Sequence, residues 1–168
     1  MLKKIAFVAM MLVLPLGVMA QAKFGHLNSQ EVITAMPEYT KANSDLEALA
    51  KTDQEERQRT QAEFNKKYEE YVQQADSLPK NIAERRQKEL EEMAQRQQQF
   101  QQDAQQSLQK AQQEAFQPIL KKLNDAIDAV GKADGFLYIF DLANTPIAFV
   151  GTASVDVTAK VKTQLGIK

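Results

Sequence analysis

Apolar residues along this chain fall into three rhythms. Ile5 to Leu16 is an apolar stretch that follows Lys3 and Lys4. From Glu38 onward apolar positions become sparse and recur at alternating spacings of four and three. Phe64, Tyr68, Tyr71, Ala75 and Leu78 set one such stripe; Leu90, Met93, Gln97, Phe100 and Ala104 set a second, with Gln97 in one slot. This spacing places one narrow ridge on a helix, the pattern of a coiled-coil seam. The third rhythm is dense: Phe136 to Phe140 and Ile147 to Gly151 are short runs of aromatic and branched residues, as buried strands require.

These rhythms predict an order of elements. Phe24–Leu27 reads as a short strand, and Asn28 or Ser29 caps a brief helix through Val32 and Ile33. Pro37 suits the first turn of a helix and not its interior, so a new helix begins there. No Gly or Pro interrupts Glu38 to Ser77, which predicts a helix of about 40 residues and roughly 60 Å. The turn signal lies at 76–81, around Pro79. A second uninterrupted stretch, Ile82 to Gln117, continues through Pro118 with a kink toward Val130. Two long helices joined by a short loop fold back as an antiparallel hairpin. Gly131 and Gly135 close the helix, and the two apolar runs after them are expected to pair as a β-hairpin. A last helix, capped by Ser154 or Asp156, carries Val157, Val161 and Leu165 on one face.

The fold class is therefore α+β and mostly α: a long antiparallel coiled-coil hairpin projecting from a small β-containing body. Residues 1–20 form a leader, 21–37 the first part of the body, 38–117 the arm, and 118–168 the rest of the body. The basic start, the apolar stretch of about twelve residues and the small-residue pattern Val18-Met19-Ala20 read as an export signal removed before Gln21. A membrane span needs roughly 20 apolar residues. Export places the mature chain in the periplasm.

Composition narrows the function. The chain has no cysteine, which excludes a disulfide framework and thiol chemistry. Outside the leader it carries 19 basic against 22 acidic residues, so it lacks the basic face that nucleic acid demands. No phosphate-cradling glycine loop or serine elbow is present, and the single histidine, His26, lies in a strand-like run and reads as a packing or surface residue. Neither an enzyme nor a cofactor or metal site is expected.

The arms have little to bury. Asp53 to Glu63 is almost devoid of apolar residues, and twelve Gln lie between Gln95 and Gln117, so most arm faces meet solvent. The two body stretches, 23–36 and 119–168, hold only 64 residues. A domain of that size without disulfides or metals needs oligomerisation or unusually good packing. Association through strands and the aromatic residues Phe24, Phe136, Tyr138, Phe140, Ile147 and Phe149 is expected, in a closed ring that leaves no open edges.

Several stretches resemble the Skp/OmpH family of periplasmic chaperones. These are Glu92-Met93-Ala94-Gln95-Arg96-Gln97 with Phe100, Leu137 to Asp141, and Val155-Asp156-Val157-Thr158-Ala159-Lys160-Val161. The order of elements matches along the whole mature chain. The resemblance implies a jellyfish-like homotrimer whose arms hold unfolded outer-membrane proteins without ATP. Phe64, Tyr68, Tyr71, Leu78, Met93 and Phe100 are the candidate client contacts, although heptad spacing assigns them to the seam first. The familiar member is strongly basic and this chain is not, so membrane or lipopolysaccharide contact is doubtful. Arg85, Arg86 and Lys88 near the tip are the one candidate cluster for lipid or anions, and they sit among glutamates. A periplasmic coiled-coil spacer or adaptor is the alternative function.

Overall fold

Residues 22–167 are described by the structure, a computed structural model. The expected leader, residues 1–20, lies outside them. The chain opens with β1 (Phe24–Leu27), α1 (Ser29–Ala35) and α2 (Pro37–Gln74). A 3-10 turn, Ala75–Ser77, leads to α3 (Lys80–Asp134), β2 (Tyr138–Asp141), β3 (Val155–Asp156) and α4 (Thr158–Gln164).

Local chemistry sets the boundaries. The Asn28 side chain accepts a hydrogen bond from the Glu31 N–H and so caps α1. Met36 is extended, the conformation favoured ahead of proline, and Pro37 opens α2. With 38 and 55 residues, α2 and α3 are about 57 and 82 Å long. They pack along each other from Glu38–Lys122 at the base to Lys67–Glu89 near the tip, ion pairs that mark the antiparallel register. Pro118 does not end α3. The ring removes one N–H, so the carbonyl of Glu114 loses its helical partner; both residues lie on the exposed side, open to solvent. Gly135, at φ 69°, supplies the left-handed cap that stops the helix.

The sheet differs from the sequence expectation. Its order is β2–β1–β3 and both ladders are parallel. Ile147–Gly151 is not a strand and does not pair with Phe136–Phe140; the third strand is the later pair Val155–Asp156. The reason is topological. β1 occupies the centre and takes β2 on one side, so the chain must cross to the other side of β1 and run in the same direction, which a tight hairpin cannot do. Residues 142–154 make that crossing.

The core lies between the sheet and three helices. Leu27, Val32, Leu123, Ala126, Val130, Val157 and Val161 form one buried cluster, against which Phe136, Ile139 and Leu165 pack. Met36, Ala42 and Ile119 form a second at the arm base, with Tyr39 and Phe116 beside it at 5.6 Å between ring centroids. The expected apolar face of the last helix is found: Val157 and Val161 are fully buried. The cap position is Val157, with no side-chain cap, and neither Ser154 nor Asp156 occupies it; Asp156, one residue earlier, accepts from the Thr158 N–H at 2.8 Å. Gly25 sits where a Cβ would meet the Phe136 ring at 3.1 Å, so the absence of a side chain here lets that ring lie close against β1.

Candidate interaction surfaces

Along the arm, the partner helix decides which apolar side chains are consumed. Met93 is 8% exposed and belongs to the seam. Phe64, Tyr71, Leu78 and Phe100 are half-buried between the helices. Tyr68 departs from the expected seam. It is 52% exposed, its ring stacked on Phe64 at 6.2 Å, and Lys67 takes the inward position and bonds Glu89 instead. One turn on, Val72 is 54% exposed, so Tyr68 and Val72 make an apolar ridge on the outside of the hairpin. Sequence reasoning missed Val72, although its i+4 spacing from Tyr68 was the available signal.

Between the tip and base the seam turns polar. The Gln97 amide donates to the Thr60 carbonyl at 2.9 Å, and Asp53 and Glu56 hold the next half-buried positions. Open clefts of about 410 and 560 Å³ flank Phe100, and both are bounded by Thr60 and Gln97.

At the tip, two of the three basic side chains have polar neighbours. Arg86 donates to the Gln74 side chain at 2.9 Å, and Lys88 lies 4.0 Å from Glu92. The hydrogen bond from Lys67, with charge contributed by Arg85 and Arg86, holds the Glu89 carboxyl below its usual range.

The sheet presents two unlike faces. Gly25, Leu27 and Ile139 turn toward the helices, whereas Phe24, Tyr138 and Phe140 stay exposed. Phe24 and Tyr138 are register partners and stack at 6.3 Å, with Phe140 6.1 Å from Tyr138. Phe136 is half-buried on the inner side with Lys23 over its ring, Ile147 is half-buried in the crossing, and Phe149 is 83% exposed.

A polar clasp that the sequence did not reveal ties this face to the core. Asp141 accepts from the Ser29 hydroxyl at 2.6 Å, the Ser29 N–H at 3.1 Å, the Asn144 amide at 2.6 Å and the Ala143 N–H at 3.1 Å. Burial pushes the Asp141 pKa up, but these four donors outweigh it and hold the carboxyl below its ordinary value. Among the described residues no group of three or more His, Cys, Asp or Glu is placed to hold a metal, and no helix is long and apolar enough to cross a membrane.

A seam-limited helical hairpin rooted in a three-stranded parallel sheet with one bare aromatic face defines a class of arm-and-body protein. The profile of the family described as "Outer membrane protein (OmpH-like)" matches residues 23–165, and the chain belongs to that family. A crystal structure of an OmpH-like protein from Caulobacter crescentus CB15, described as an outer membrane chaperone, has the same fold. The likeness covers 87% of this chain and 85% of that one at a TM-score of 0.74 and 16% identity. No curated protein sequence matches the chain.

Proposed function

We propose that this protein is a periplasmic, ATP-independent holding chaperone that binds unfolded outer-membrane proteins between its arms and keeps them from aggregating. The OmpH-like family and the chaperone description of the Caulobacter protein support the general role. The observation that carries the specific reading is the hairpin itself: a single seam satisfies the two helices, while Tyr68 and Val72 stay outside it. Many such weak contacts on several arms sharing one base raise each other's effective concentration, so retention comes from multiplicity and not from one tight site. Of the candidate contacts, Tyr68 is the accessible one, and Met93 serves the arm.

The arms are presented by a homotrimer assembled through the outer sheet face, where Phe24, Tyr138 and Phe140 lie uncovered. The resemblance to the Skp/OmpH family supports three as the subunit number. Residues 1–20 direct export and are removed.

The test is dilution of a urea-unfolded outer-membrane barrel protein into buffer containing the leaderless protein. Aggregation is expected to be suppressed near stoichiometric ratio without nucleotide. A spacer or adaptor would leave light scattering unchanged, and that result would overturn the proposal.

A further inference from the structure

The chain has one histidine, and the fold sets it in the middle of the bare sheet face. Alternation along β1 turns His26 to the same side as Phe24. Its register partner on β2 is Phe140, next to Tyr138; its register partner on β3 is Asp156. The ring nitrogen Nδ1 lies 2.8 Å from the Ser154 hydroxyl. So the groups facing the imidazole are the Asp156 carboxylate and the Ser154 hydroxyl on the β3 side, two aromatic rings on the β2 side, and Phe24 on its own strand. The helices pack on the opposite face.

No hydrogen bond joins Asp156 to the imidazole, whose Nδ1 faces Ser154 instead. Asp156 is held as a carboxylate by the Thr158 hydroxyl and then the Thr158 N–H, with His26 a smaller influence. Covering this face with a second copy would strip water from the imidazole among aromatic rings. A neutral ring tolerates that; a protonated ring does not unless a carboxylate is free to take it as a partner.

We infer that His26 makes self-association through the sheet face pH-dependent: a second copy covers the neutral imidazole and is released when the ring takes up a proton. The inference rests on the proposed assembly through this face. Asp156 and Asp141 are both held below the ordinary carboxylate value and keep their charge throughout the pH range tested. Between pH 7.5 and 5.5 the effect of His26 is therefore separable from theirs.

The experiment is sedimentation velocity of the leaderless protein over a concentration series at pH 7.5 and 5.5 at fixed ionic strength, repeated on His26→Gln. The association constant is expected to fall by at least about tenfold between pH 7.5 and 5.5, and His26→Gln should remove most of that dependence. Equal association of the wild type at both pH values, or an equally steep loss in His26→Gln, would overturn the inference and leave the assembly standing. A monomer at both pH values would overturn the assembly and this inference with it. Should His26→Gln fail to assemble, the single imidazole resonance of the wild type decides. In the assembled protein it should shift toward the protonated position at lower pH than in a monomeric Tyr138→Gln variant; coincident titrations would refute the inference.

Discussion

At the scale of single residues, Asp141 is the group on which the body most depends without contributing to its apolar core. It joins the start of α1, the end of β2 and the turn that follows, and Ser29 is buried against it. Asp141→Ala would leave the Ser29 hydroxyl and two backbone N–H groups without their acceptor, at about 1–3 kcal/mol. Chemical denaturation at pH 7 should read this as a lower midpoint. The sign of the pH dependence follows from the direction of the shift. Since the folded carboxyl titrates below its unfolded value, the unfolded chain binds more protons between the two values. The stabilisation is then fully present above an unfolded value of ~3.9 and is lost as pH falls through the folded one. Glu38 and Asp156 are lowered as well and act in the same window. The urea midpoint should drop as pH falls below about 4, with a shallower drop in Asp141→Ala.

Tyr68 and Val72 pose the opposite case, two side chains whose removal should cost the fold little. Both are more than half exposed, so Tyr68→Ser with Val72→Ser should leave thermal unfolding within about 0.5 kcal/mol of the wild type. Retention of an unfolded client, measured by fluorescence titration, should weaken by on the order of 1–3 kcal/mol. Unchanged retention would move the contact surface elsewhere on the arm.

Elements behave as the seam dictates. Met93 is the most deeply buried side chain of the outer arm, and Met93→Ala should cost about 2–5 kcal/mol of local stability. Hydrogen exchange of the segments around Phe64 and Leu90 should report it, with the body unaffected. Most ion pairs along the arm are exposed and spaced at i, i+4, among them Lys41–Asp45, Lys51–Glu55 and Lys88–Glu92. Such pairs contribute little and are screened by salt. Deleting 54–105 removes the polar layer, the ridge and the tip together. The truncated chain should still self-associate and should no longer suppress aggregation; protection by it would show that the arms are not the working part.

For the whole molecule, the bare sheet face is the feature that one chain leaves unfinished. Phe24, Tyr138 and Phe140 form a stacked aromatic surface on the side of the sheet that no helix covers. Placing a charge there opposes covering it, so Tyr138→Glu with Phe140→Glu should yield a monomer by light scattering while circular dichroism keeps its helical signal. A wild-type chain that is itself monomeric would contradict the proposed trimer.

Local order was legible in the residues alone. Proline and glycine placed the start of α2 at Pro37, the turn near Pro79 and the end of α3 at Gly135, although Gly131, expected to help close that helix, lies inside it; the 4–3 spacing identified a hairpin with a single stripe. These signals act within a few residues, so no knowledge of the partner is needed to read them. What only the tertiary structure decided are matters of long-range choice. Phe64-Tyr68-Tyr71 and Phe64-Lys67-Tyr71 obey the same spacing rule, and the meeting of Lys67 with Glu89 on the other helix selected the second. Strand order was hidden for the same reason: Phe24 pairs with Tyr138 across the entire arm, and Ile147–Gly151, though strand-like in composition, spans the crossing that parallel pairing requires. The Asp141 clasp joins residues 112 positions apart. Periodicity tells a helix which side to bury, but which side chains fill that side and which strands lie together depend on contacts that form only once distant segments meet.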